Sequence, residues 1–161
     1  MVFRRRPAKR TELAGYRSIL VPVGGSAADH DALRLAALLL QDAQGQVALL
    51  HVIEVPFDRQ LDAEDEDALA EANRILDEGS TFLEGHGIGT RTSTVQARAA
   101  GAAIVDDAVE QGADLIIMAL PYKKRFGGQW DAGRTVPYVM RNSTAPVWCL
   151  RAETEELALT S

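Results

Sequence analysis

Residues 18–23 (SILVPV) and 114–120 (DLIIMAL) are apolar at nearly every position over the length of a strand. A strand with one wet face alternates apolar and polar residues. An unbroken apolar run belongs to a strand covered on both faces, and that is the situation in a parallel sheet with helices above and below. Between these runs the remaining segments alternate helix-like and strand-like patterns, as successive βαβ units require.

Residues 28–41 carry Leu33, Ala36, Ala37 and Leu40 at helical spacing, with Ser26 or Asp29 available as the cap and Gly45 near the end. Residues 46–55 form a second apolar strand containing Val47, Leu49, Leu50, Val52 and Ile53. An acidic helix over residues 63–85 follows, its apolar stripe made of Leu69, Ala72, Ile75, Leu76, Phe82 and Leu83. Asp62, Glu64, Asp65, Glu66 and Asp67 crowd its start, where negative charge suits the helix dipole. With no histidine spaced to complete a coordination shell, a solvated helix start is the reading there rather than a metal site.

Strand three, residues 90–96, is rich in threonine and so suits an edge. Helix three, residues 99–111, has Ala100, Gly101, Ala103 and Ala108 for close packing on the sheet, and Gly112 to end it. Strand four is the 114–120 run. Thr135 is placed to cap a further helix with Val136 and Pro137 in its first turn. Strand five, residues 146–150, opens on a proline, which again suits an edge.

At 161 residues and 47% hydrophobic content the chain is long enough for one domain with one sizeable core. The expected organisation is a basic leader over residues 1–15, a domain over 16–152 and a flexible tail over 153–161. No apolar run reaches the roughly 20 residues of a membrane span, and the start MVFRRRPAKR lacks a signal-peptide core, so a cytoplasmic location is expected. Removing the five positive charges of Arg4, Arg5, Arg6, Lys9 and Arg10 from the net −6 leaves about −11 on the body. Such a body repels nucleic acid, whereas the leader could approach an acidic partner or an anionic membrane. The single cysteine, Cys149, excludes an intrachain disulfide, and its apolar setting predicts a buried, unreactive thiol.

The residues resemble the universal stress protein family. Ile19-Leu20-Val21-Pro22-Val23-Gly24-Gly25-Ser26 is similar to that family's opening strand and turn, I-L-V-P-V-D-G-S. Leu49-Leu50-His51-Val52-Ile53, the AAIVDDA run at 102–108, Ala113 to Met118 and Ala145-Pro146-Val147 are similar to its later segments. The resemblance implies an open five-stranded parallel sheet of order 3-2-1-4-5, Rossmann-like, with helices on both faces. It also implies a homodimer joined through the fifth strands, here Val147 and Trp148, and a ligand crevice at the switch point between strands one and four. Members that bind ATP or AMP carry an acid after strand one and a G-x-x-G loop after strand four, with G-S/T about nine residues on, its amides around the phosphates.

This chain departs from that pattern. Gly24 stands where the family's aspartate contacts the nucleoside, Ala119 and Tyr122 stand at the two loop glycines, and Arg134 follows Gly133 in place of serine or threonine. Ten residues, 123–132, separate Tyr122 from Gly133. Tyrosine lacks glycine's freedom at positive φ, so the usual cradle does not form unchanged. In exchange the loop holds Lys123, Lys124 and Arg125, with Arg134 and Thr135 beyond it. It reads either as a solvated surface or as an anion site working by charge. On this reading the residues facing a nucleotide are Gly24, Gly25, Ser26, Val52, Ala119, Lys123, Lys124, Arg125, Gly133, Arg134 and Thr135.

Two functions follow from these residues. One is a non-enzymatic regulatory domain acting through dimerisation and a protein partner, with the standard ATP loop lost or altered. The other is a sensor of an adenine nucleotide, ATP or AMP, bound through the rebuilt basic loop. No enzyme activity is expected, because His30, His51 and His86 are far apart in sequence and no activated nucleophile accompanies them. Phe126, Trp130, Tyr138 and Trp148 add aromatic surface around the loop and strand five, for packing or for base stacking.

Overall fold

The computed structural model describes residues 15–41, 44–121 and 133–152. Strand and helix alternate throughout: β1 (Ser18–Pro22), α1 (Ala28–Leu40), β2 (Gln46–Glu54), α2 (Glu66–Gly85), β3 (Gly89–Ala97), α3 (Ala100–Glu110), β4 (Leu115–Pro121), α4 (Thr135–Asn142) and β5 (Val147–Ala152). Neighbouring strands pair parallel in the order β3-β2-β1-β4-β5. Most of the basic leader and the tail expected from the sequence lie outside the described residues. No helix among the described residues is long and apolar enough to cross a membrane.

The two unbroken apolar runs occupy the sheet's interior, and their residues divide between two cores. Ile19, Val21, Leu115 and Ile117 pack with Leu33, Leu40, Ile75 and Leu83 beneath α1 and α2. Leu20, Leu50, Ile116 and Met118 pack with Ile104, Val136 and Val139 beneath α3 and α4. Ile19, Leu20, Leu115 and Ile116 are fully buried, so truncating any of them to alanine removes about 2–5 kcal/mol. The threonine-rich β3 and the proline-led β5 are the two edges. Pro146 lies just outside β5, and its carbonyl accepts from the N–H of Ile116 at 2.9 Å.

Two local expectations need correction and a third needs extension. The acidic helix begins at Glu66 rather than residue 63. Asp65 is extended (φ −125°) and its carboxylate accepts from the N–H of Ala68 at 3.0 Å, so it caps the helix and leaves 63–64 in the connection. In α3 the small residues do pack on the sheet, Ala108 lying in the core with Leu20 and Ile116, and Gly101 also lets α4 come close. A methyl group on Gly101 would stand 2.9 Å from the Tyr138 ring. Cys149 is exposed, not buried, on the edge strand β5. Partial burial still pushes its thiol pKa up, toward the unreactive form.

Candidate functional site

The crevice at the carboxyl ends of β1 and β4 is opened by a proline. The N–H of Val23 donates to the carbonyl of Leu50 in β2 at 2.9 Å, so its neighbour Pro22 turns its own backbone nitrogen toward β4. Proline has no N–H to give. The β1–β4 ladder accordingly ends at Leu20–Ile116, although β1 continues to Pro22 and β4 to Pro121. On the other flank β2 outruns β1. The last β1–β2 pair is Pro22–Leu50, so Val52 stands two residues past it, half-buried against the α3–α4 core. It pairs with Val95 of β3.

The turn after β1 is shaped by one carboxylate. Asp29 Oδ2 accepts the backbone N–H groups of Gly24 (2.9 Å), Gly25 (2.7 Å) and Ser26 (3.2 Å). Burial pushes the Asp29 carboxyl up from its ordinary range, against the opposing pull of these three donors. The two glycines differ. Gly25 has φ +85°, and a methyl there would meet Ile75 Cδ1 at 2.8 Å, so only glycine fits. Gly24 has open space around its missing Cβ and would accept a side chain.

Neighbouring polar groups are also committed to backbone. His51 Nδ1 lies 2.8 Å from the Val23 carbonyl, and Glu54 Oε1 accepts the Ala100 N–H at the start of α3 at 3.1 Å. Arg98 donates to the carbonyls of Val55 and Pro56 and places its guanidinium 5.3 Å from the Phe57 ring centre, tying down the segment after β2.

The helix starts are therefore not equivalent. Asp65 caps α2 and Glu54 takes the first amide of α3, while α1 starts at Ala27 without a side-chain cap and Asp29 holds the loop before it. At α4 the N-cap residue is the cation Arg134, which makes no side-chain cap bond. Among the described residues no carboxylate bonds the amides of Thr135 or Val136. Thr135 is the first residue of the helix, not its cap, because the chain enters α4 already turned into helical geometry at Arg134. Gly133, at φ +67°, makes the turn just before it.

The structure thus gathers Gly24, Gly25, Ser26 and Val52 around the ends of β1 and β2. Gly133, Arg134 and Thr135 stand at the start of α4. Ala119 sits inside β4, paired with Leu150, so β4 continues where the family pattern has its first loop glycine. Lys123, Lys124 and Arg125 lie outside the described residues, as do Tyr122, Phe126 and Trp130. Neither Ser26 nor Asp29 caps α1 as expected, because the N-cap falls on Ala27 without a side-chain bond and the Asp29 carboxylate folds back onto the loop amides of Gly24 to Ser26. The roles of His51 and Glu54 had no local signal, since both reach across to other elements. Among the described residues no three histidine, cysteine, aspartate or glutamate side chains gather to hold a metal ion.

A doubly wound parallel sheet with its crevice at the switch point defines a Rossmann-like α/β domain. The chain belongs to the universal stress protein family, whose model matches residues 15–151. It is similar to the solved universal stress protein of Archaeoglobus fulgidus, at 21% identity and a TM-score of 0.70, over 83% of this chain and 98% of that one. The structure of the universal stress protein from that organism in complex with dAMP matches at 22% identity and a TM-score of 0.64, over 84% and 98%. A universal stress family protein of Arabidopsis thaliana with AMP bound matches at 12% identity and a TM-score of 0.62, over 87% and 94%. At these identities the likeness is one of fold. The comparison with curated proteins found no match.

Proposed function

We propose that this domain is a cytoplasmic regulatory module that takes an adenine nucleotide, AMP or ATP, in the crevice between β1 and β4 and acts by binding rather than turnover. The observation that carries this reading is the difference among helix starts. Asp65 caps α2 and Glu54 takes the first amide of α3, whereas among the described residues α1 and α4 both start without a side-chain cap, and of these two only α4 starts on a cation, Arg134. A phosphate is best received there, by the first-turn amides of Thr135 and Val136 with Arg134 beside them. Lys123, Lys124 and Arg125 would add charge where other members use loop amides. Val52, overhanging the end of β1, offers an apolar surface to the base. The dAMP and AMP complexes of similarly folded proteins support the ligand class.

A role without turnover is supported by how the nearby ionisable groups are used. Asp29, Glu54 and His51 each bond backbone atoms of neighbouring segments, the positioning use that a binding module makes of such groups. Calorimetric titration with AMP and with ATP tests the reading, and saturable binding without phosphate release from ATP is expected. Gly24→Asp, which has room for its side chain, should tighten binding several-fold by restoring the family's acid. Flat titrations with both nucleotides at millimolar concentration would remove the reading.

A second reading, a homodimer through β5, is favoured by one feature. Trp148 is exposed on this edge strand and meets Tyr16 edge-on, with ring centres 5.6 Å apart, which fixes an aromatic surface beside an unpaired strand edge. Val147 instead packs against the α3–α4 core. Trp148→Glu is therefore the informative variant, and light scattering should show dimer giving way to monomer. A parent protein that is monomeric at high concentration would exclude this interface.

A further inference from the structure

We propose that the α1–α2 face carries a second small-molecule site, separate from the β1–β4 crevice, suited to a small organic cation with an apolar body. A cavity of about 170 Å³ opens between these helices beside the turn after β1. That is below the roughly 300–1,000 Å³ of a drug-sized pocket and suits a single ring. Its floor is Val23, Leu33 and Ile75, all buried. The space exists because Gly25 presents no side chain to Ile75, where a methyl would stand 2.8 Å from Cδ1.

At its mouth stand Asp29, His30 and Glu78. From there a shallow groove continues outward, sharing His30 and Glu78 and adding Arg74, Asp77 and Phe82. The walls thus carry the carboxylates of Asp29, Asp77 and Glu78 against one guanidinium, Arg74, which Glu71 and Glu78 already hold. An anion is repelled by this arrangement, and a neutral apolar guest brings no counter-charge to Asp29 and Asp77, Glu78 being shared with Arg74. A cation on an apolar body meets both, with the Phe82 ring as a further attractive wall.

Asp29 is the hinge of the argument. Its Oδ2 takes all three turn amides, while Oδ1 accepts no hydrogen bond among the described residues. Burial already pushes this carboxyl up, and a cation alongside would favour its charged form. The same carboxylate orders Gly24 to Ser26, so a guest in the cavity stiffens the turn that borders the crevice. The site stands whether or not a nucleotide occupies that crevice.

The test is an amide NMR titration of the full chain with benzylammonium, with benzyl alcohol as its neutral counterpart. Saturable shifts are expected at His30, Glu78, Gly79 and Phe82, with the alcohol binding more weakly. Glu78→Gln, on an exposed helix position and so compatible with folding, should weaken the amine by about two- to fivefold, as for a partly exposed ion pair. Shifts that never saturate or that centre elsewhere, equal binding of alcohol and amine, or indifference to Glu78→Gln would each overturn the proposal.

Discussion

Asp107 is a buried carboxylate whose removal should make the protein more stable. It sits on the inward face of α3 with 6% of its surface exposed, and its Oδ2 has no hydrogen-bond partner among the described residues. An unsatisfied buried polar atom costs about 1–3 kcal/mol. Burial is the main cause that pushes the Asp107 carboxyl above its ordinary range, with the neighbouring Glu110 adding to it against a hydrogen bond from Gln111. The native state therefore holds this proton more tightly than the unfolded chain does. The resulting stabilisation is complete below the unfolded pKa and is lost as pH rises through the folded one.

At neutral pH, Asp107→Asn should raise stability by about 1–2 kcal/mol by removing the buried charge, and Asp107→Leu by about 1–3 kcal/mol. For a domain of this size each kcal/mol moves the melting temperature by about 2–4 °C. Thermal and urea melts near neutral pH and again near the ordinary carboxylate range would measure this. The gap between Asp107→Asn and the parent should narrow as the pH falls, because the parent is then protonated as well. A variant less stable than the parent at neutral pH would refute the reasoning, since it would mean that the anion has a partner that stabilises it.

Substitutions at three glycines separate steric from conformational effects. Gly25→Ala should destabilise by about 2–4 kcal/mol, through positive φ and contact with Ile75, while Gly24→Ala at the next position should be nearly neutral in the same denaturant melts. Gly101→Ala should push α4 away from α3 and lower stability by about 1–3 kcal/mol, and Tyr138→Ala should recover part of that loss when the two are combined in a double-mutant cycle.

The sheet was legible because its central strands carry no alternation. Residues as apolar as Ile19 to Val21 and Leu115 to Ile117 have only one place to go. Edge positions were legible for the complementary reason, from the threonines of β3 and from Pro146. Contacts made by side chains at long range were not. Nothing near Cys149 in the sequence says that its side chain stays exposed on the edge strand, and nothing near Gly101 says that Tyr138, thirty-seven positions on, packs against it. In the site, the glycine turn after β1 could be read, but its amides are already taken by Asp29, a pairing that depends on how the first turn of α1 folds back. Pro22 was legible as part of a family motif, yet its effect on the β1–β4 ladder emerges only with the register.

The central claim is that a phosphate-bearing ligand enters between β1 and β4 and settles at the start of α4. Amide NMR mapping with AMP tests it most directly. Saturable shifts at Gly24, Val52, Arg134 and Thr135, with the outer surface of α2 unmoved, are the predicted result. A spectrum that does not respond to AMP, or one that responds only away from those four residues, would contradict it.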